Sequence, residues 1–292
     1  MQYVLLDLRN NELFLFMNIK FYWININKSL NRRYFMEEQF KINGFPNERI
    51  EAVTPEILES IIEDKSPFNC GSPACIYNNQ NDCKFEFSCT CSHLNAIKTG
   101  YDSNEPFFIV CEDDIYFPFK LDYDKIIKTL PSDFDICQMM VINDEANDYL
   151  YKDCLKNKGE LFIKYDCTKK LFSAGMYLLS RNGAKRILDL FINKNSLKYD
   201  FREVPSLKQA DFMLYMYVNS YTITFPLCFP VLLFISEIHP NHYYLHKQAI
   251  DKMITNINDN QLKHPFILHY YSFDNFYNHY KALINNKNNS DI

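Results

Sequence analysis

Glu112, Asp113 and Asp114 place three carboxylates in a row between the apolar runs Phe107 to Cys111 and Ile115 to Phe117, and nowhere else does the chain mass charge in this way. Adjacent carboxylates repel one another unless a cation or a set of donors compensates them. Oxygen ligands of this kind suit a hard divalent ion, Mn²⁺ or Mg²⁺, and such an ion suits a phosphate-bearing ligand. The run Phe107 to Cys111 has the length and the aromatic and β-branched content of a buried strand. The triplet therefore stands at a strand's carboxyl end, where open α/β sheets bind ligands.

Other residues with chemical potential are spread along the chain. Ser29 follows a strand over Ile19 to Ile26 and is placed to cap a helix from Leu30 to about Phe40. Arg32 and Arg33 then sit in its first turn, where the helix dipole disfavours cations. An anionic partner relieves that conflict, and so does a solvated face. His93 falls on a helix expected from Ser88 to about Thr99 and closed by Gly100, with the apolar stripe Cys91, Leu94, Ile97. It reads as a packed, hydrogen-bonded histidine. Asp211 opens a helix expected over Lys208 to Val218, and Glu237 and His239 follow a short strand at Val231 to Ile235. On their own, each carboxylate reads as half of a salt bridge and His239 as a structural histidine.

Composition narrows the function classes. A chain of 292 residues with 47% hydrophobic content can bury a large core, and its net charge of -5 lacks the basic field of a nucleic-acid binder. Only 6 glycines are present, and neither a Walker-type loop nor a dinucleotide fingerprint occurs. Cys70, Cys75, Cys83, Cys89 and Cys91 crowd one segment without a paired CxxC pattern, so disulfides, a zinc site or simple buried thiols all remain open. No secretory leader or membrane-length apolar run is evident, which sets a cytoplasmic location as the expectation, with peripheral membrane association allowed.

The remaining elements must carry these residues. Arg49 to Val53 is expected as a second strand, and Pro55 to Asp64 as a helix capped by Thr54. Ser66 to Asp82 reads as a loop, Leu121 to Leu130 as a helix, and Phe134 to Ile142 as an apolar strand. Asn143 to Asp153 reads as an acidic loop bordering the site, and Leu171 to Leu179 as a strand whose successor helix Ser180 caps. Tyr221 to Phe225 is a further short strand. Residues 1–16 read as an N-terminal extension or a start-codon choice, 17–240 as the folded domain, and 241–292 as a helical tail packed on it.

In this order the landmarks resemble glycosyltransferase family 25, which includes bacterial lipooligosaccharide sugar transferases and procollagen galactosyltransferase-like proteins. Tyr22 to Arg33 looks like the family's opening strand with its Ser and Arg-Arg turn, and Arg49 to Val53 like its second strand. Cys91-Ser92-His93-Leu94 followed by Val110 to Asp114 is similar to its signature helix and acidic triplet. Ser173 to Ala184 and Ala210-Asp211 match later landmarks, over about Met17 to Glu237 in all. The long Cys-rich segment Glu63 to Phe87 and Cys111 before the triplet depart from the pattern.

The resemblance implies an α/β fold: a single GT-A-like nucleotide-sugar-binding domain with a mixed central sheet flanked by helices. It also implies metal-dependent, inverting transfer of a hexose, galactose or glucose, from a UDP-sugar to a hydroxyl of a glycan or protein. Mn²⁺ or Mg²⁺ on Asp114, with Glu112 and His239 as further ligands, would neutralise the diphosphate. Asn25, Ser29, Arg32, Arg33 and His93 would border the nucleotide, and Glu112 or Asp113 would make a water-mediated or ribose contact. In an extended chain Glu112 and Asp114 face one side and Asp113 the other. Asp211, then Glu237, are the candidate bases for the acceptor hydroxyl. The competing readings are another metal-dependent nucleotide-processing transferase and a catalytically silent carbohydrate- or nucleotide-binding module.

Overall fold

The computed structural model describes residues 3–7, 12–16, 19–63, 80–204, 208–231, 243–259 and 264–270. Strands β1 (Tyr3–Asp7) and β2 (Glu12–Phe16) pair with each other in a two-stranded antiparallel sheet of their own. Next come β3 (Lys20–Asn25), α1 (Leu30–Asn43), β4 (Asn47–Glu51), α2 (Pro55–Ile61), the long α3 (Gln80–Asp102) and β5 (Phe107–Glu112). The middle of the chain supplies β6 (Ile115–Tyr116), β7 (Phe119–Leu121), α4 (Tyr123–Thr129), β8 (Ile136–Gln138), α5 (Asp144–Asp148) and β9 (Phe162–Lys164). It ends with β10 (Met176–Ser180), α6 (Arg181–Phe191), α7 (Ala210–Met216), β11 (Ser220–Ile223), β12 (Phe229–Pro230), α8 (Tyr243–Asp259) and β13 (Ile267–Tyr270).

Seven strands form the central sheet in the order β4-β3-β5-β10-β8-β11-β9. It is mixed: β3 runs parallel to β4 and β5, β10 runs antiparallel to β5 and β8, β11 is parallel to β8, and β9 is antiparallel to β11. Alternation along each strand feeds two cores. Phe21, Trp23, Ile109, Cys111, Met176 and Leu178 pack on one face with Phe35 and Phe40 of α1. Tyr22, Ile24, Phe108, Val110, Tyr177 and Leu179 pack on the other with α3, α6 and α7. Each such side chain, fully withdrawn from water, contributes about 1.5–3 kcal/mol. The architecture is a mixed sheet flanked by helices, consistent with the single GT-A-like α/β domain that the resemblance implies.

Several boundaries differ from expectation for physical reasons. Helix α3 already includes Gln80, ahead of the start expected at Ser88, and runs on past Gly100, which is not its end. A Cβ at Gly100 would lie 2.3 Å from the Phe108 ring, so the glycine admits β5 against the helix. A true glycine end occurs at Gly44, which closes α1 with a left-handed φ of 66°. Asn143 to Asp153 is helical and not a loop, because Asn143 caps α5 by accepting from the Ala146 amide, and a π-helical turn, Tyr149–Lys156, continues it. Ser29 holds the cap position of α1, but its hydroxyl does not bond the helix, and Thr54 likewise makes no side-chain cap bond to α2.

The apolar run from Phe134 is a strand only over β8; Met139, Met140 and Val141 continue buried without being strand. The tail is more than helix. β13 pairs antiparallel with β7, and Ala249, Ile250 and Met253 of α8 are buried. Cys70, Cys75 and most of the loop expected over Ser66 to Asp82 lie outside the described residues, as does all but Val231 of the strand expected at Val231 to Ile235. No described helix is long and apolar enough to cross a membrane.

Candidate active site

Strands β3 and β5 lie side by side and parallel, with Ile24 opposite Glu112, so Asn25 and the acidic triplet emerge together at the carboxyl edge. The chain leaves β5 in a turn at Asp113 and Asp114. Strict alternation stops there, and the expected facing of Glu112 with Asp114 against Asp113 is not what forms. Both aspartates instead turn to Arg32, whose Nη1 donates to Asp113 Oδ1 at 2.7 Å and to Asp114 Oδ2 at 3.0 Å. Asn25, buried, donates to Asp113 Oδ2 at 2.6 Å and is itself approached by Arg49 at 3.3 Å. Arg32 is thus spoken for by carboxylates, which answers the helix-dipole conflict seen in the sequence.

The turn is anchored from behind by contacts with no sequence signal. Gln39, fully buried in α1, donates to the Ile115 carbonyl at 2.6 Å and accepts from the Phe117 amide at 3.0 Å. The Val231 amide donates to the Asp114 carbonyl at 2.7 Å, next to the pairing of β12 with β6. These bonds fix where the backbone goes after the carboxylates, and so where the carboxylates point.

Glu112 turns the other way, toward α3. Its Oε1 lies 3.3 Å from His93 Nε2, and His93 Nδ1 lies 2.9 Å from the Tyr177 hydroxyl of β10. His93 is wholly buried. Cys89, one helical turn before it, completes a cluster in which one ligand atom each from Cys89, His93 and Glu112 lie within 4.8 Å of one another. Cys83, Cys89 and Cys91 are all unbridged thiols. His246 of α8 bears electrostatically on both Glu112 and Asp114. Sequence reasoning misses His246 and Tyr177, since nothing in a polar tail or an apolar strand marks a residue that only the fold brings to the site.

The electrostatics show how incompletely these charges are balanced. Burial pushes the Asp113 carboxyl up to about 6, against the opposing pull of Arg32, with Asp114 adding to the rise. Burial also raises Asp114, opposed by Arg32 and reinforced by Glu112. At Glu112 burial works upward too, but the hydrogen bond and charge of His93, with Arg32 and His246, leave its pKa below the ordinary value. Arg32 stays firmly charged: the two aspartates outweigh its own burial. Asp113 and Asp114 are therefore carboxylates that one guanidinium does not fully compensate, and a divalent cation fits beside them by charge and by ligand type.

The other expected residues divide. Ser29 lies next to the cluster through its backbone, where Asn25 Nδ2 donates to its carbonyl at 3.3 Å. Arg33 points away from the triplet to Glu37, one turn along α1, at 2.8 Å. Asp211 stands in the first turn of α7, and its charge contributes to raising the Cys89 thiol, behind burial, Glu112 and Glu86. Glu237 and His239 lie outside the described residues.

A helix-flanked mixed sheet with carboxylates at the carboxyl end of β5, beside the parallel β3, is the architecture of a Rossmann- or GT-A-like domain. The chain belongs to glycosyltransferase family 25: the family model described as glycosyltransferase family 25 (LPS biosynthesis protein) matches residues 18–202. Its class is accordingly glycosyltransferase. No curated protein matches the sequence.

Proposed function

We propose that the protein transfers a hexose, galactose or glucose, from a UDP-sugar to a hydroxyl of a glycan or protein, with inversion and with Mn²⁺ or Mg²⁺ bound. The observation that carries this reading is the shared hold of Arg32 on Asp113 and Asp114 at the joint carboxyl edge of β3 and β5. Burial is the largest cause of the raised carboxyl pKa values there and neighbouring carboxylates add to it, so a cation held beside them would favour their ionised forms. Asp114 is the direct ligand in this scheme, and Glu112, turned toward His93, would have to swing back to join it. A hard cation so held supplies Lewis-acid neutralisation of the charge that develops on the leaving diphosphate.

The chain's own residues do the rest. Asn25 and Arg32 hold Asp113 in place, and Asp113 or Glu112 contacts the ribose directly or through water. As the bond from the anomeric carbon to the diphosphate breaks, a bond to the acceptor oxygen forms on the opposite face. Asp211 takes the proton of that hydroxyl, with Glu237 the second candidate. The family's description as an LPS biosynthesis protein supports a glycan acceptor.

A donor screen tests the proposal: UDP release from UDP-galactose, UDP-glucose and UDP-N-acetylglucosamine, with Mn²⁺ and with chelator. Metal-dependent release from one of the two hexoses is the expected result. Turnover unaffected by chelator removes the metal role, and neither turnover nor nucleotide binding with any donor favours a silent binding module.

A further inference from the structure

We infer that Cys89, His93 and Glu112 form a second, softer metal site, one that takes Zn²⁺ in preference to Mg²⁺ or Mn²⁺. This site shares Glu112 with the sugar-transfer reading but does not depend on that reading. Cys89 and His93 are four residues apart on α3, so their side chains lie one above the other on a single helix face. Glu112 meets them from the end of β5, and the three ligand atoms fall within 4.8 Å of one another.

The separation of two of these atoms, now a hydrogen-bonded pair, is one that zinc can accommodate. Two bonds of roughly 2.0–2.1 Å at a tetrahedral angle set nitrogen and oxygen ligands about 3.3 Å apart. His93 Nε2 and Glu112 Oε1 are 3.3 Å apart. Tyr177 makes the imidazole ready for this role. Its hydroxyl, 2.9 Å from Nδ1, donates when Nε2 carries the proton and accepts when Nδ1 carries it. A shift of tautomer therefore frees Nε2 for a metal without losing a buried hydrogen bond, and metal-binding histidines are commonly steadied through their other nitrogen.

Ligand chemistry decides the ion. A thiolate, an imidazole and a carboxylate are a mixed sulfur, nitrogen and oxygen set, which suits Zn²⁺ or Co²⁺, whereas Mg²⁺ and Mn²⁺ favour oxygen. The Cys89 thiol gives its proton to solvent as the ion binds. Three protein ligands leave the fourth position open, as in zinc sites that bind water or substrate. Glu112, with a side chain 35% exposed, gives that position access to solvent. Because Glu112 also neighbours Asp114, the softer site adjoins the one proposed for the donor.

The test uses the full chain loaded with Zn²⁺ and, separately, with Co²⁺. One zinc per chain is expected by competition with a chromophoric chelator, together with a near-ultraviolet thiolate-to-cobalt band. Cys89→Ser should abolish that band, Cys91→Ser should retain it, and Glu112→Gln should weaken zinc at least about tenfold. Absence of stoichiometric zinc, or a band that survives Cys89→Ser, overturns the site. Both results are read without turnover, so they are separable from failure of the donor screen.

Discussion

The side-chain amide of Asn25, at the end of β3, donates a 2.6 Å hydrogen bond to Asp113, 88 residues later and just beyond β5. It joins the ends of two adjacent parallel strands and holds a carboxylate that burial disfavours. Asp113 is raised to about 6 in the folded chain, so its contribution is fully present below the unfolded carboxyl pKa and lost as pH rises through about 6. Ionised Asp113 consequently costs stability at neutral pH. Asp113→Asn removes this titration, but its one oxygen cannot accept from both Asn25 and Arg32, so it should lower both stability and transfer activity. Urea unfolding at about pH 7 and about pH 4 checks the titration: the parent's advantage over the variant should be larger at pH 4, and an advantage that shrinks on acidification contradicts it.

Removal of Arg32 acts in the same direction. With Asp113 and Asp114 only 10% and 24% exposed, Arg32→Ala leaves two carboxylates buried without their cation. A loss of about 3–5 kcal/mol is expected, and less for Arg32→Lys, which keeps the charge but not the planar fork. In the double variant with Asp113→Asn the two effects should fail to add, because the residues share one bond. Simple additivity in a thermodynamic cycle would show that the contact carries no coupling.

Acid sensitivity has a separate origin at His264. This residue is buried, stacks on Phe225 at 4.6 Å, and has neither ring nitrogen hydrogen-bonded among the described residues. Burial, with some help from Lys125, lowers its pKa to about 4. Between that value and the unfolded one, the unfolded chain binds the proton more readily, so stability falls as pH drops from about 6.5 to about 4, by roughly 3 kcal/mol from this group. His264→Phe should flatten that part of the stability profile; an unchanged slope would assign it elsewhere.

Much of the fold is legible because its signals are local. Phe107 to Cys111 reads as a strand from apolar run length, Ser180 as a cap from its position before Gly183 and Ala184, and the triplet from charge density. The cap forms as expected, with the Ser180 hydroxyl accepting from the Gly183 amide at 3.0 Å. What depends on register and packing is not legible. Gly100 resembles a helix end because nothing local announces that the Phe108 ring needs the space of its Cβ. Strand alternation misassigns the faces of Asp113 and Asp114, since the turn that joins them to Arg32 is set by Gln39 and Val231 from distant parts of the chain. His93 can be seen, but Tyr177 and Glu112 meet it only through pairing of β5 with β10. The acidic signal in Asn143 to Asp153 is real and belongs to a helix start, where Asp144 and Glu145 suit the dipole.

In the proposed scheme the Asp113 and Asp114 edge holds the metal and diphosphate of a sugar donor, and everything else about transfer depends on it. The most direct measurement is UDP release with Mn²⁺ by the parent chain and by Asp114→Ala, with folding of both followed by circular dichroism. Turnover in the parent and a loss of at least about 100-fold in the variant are expected, consistent with removal of one charge-stabilising group, at unchanged secondary structure. Comparable turnover in a folded Asp114→Ala protein would contradict the assignment of metal and diphosphate to this edge.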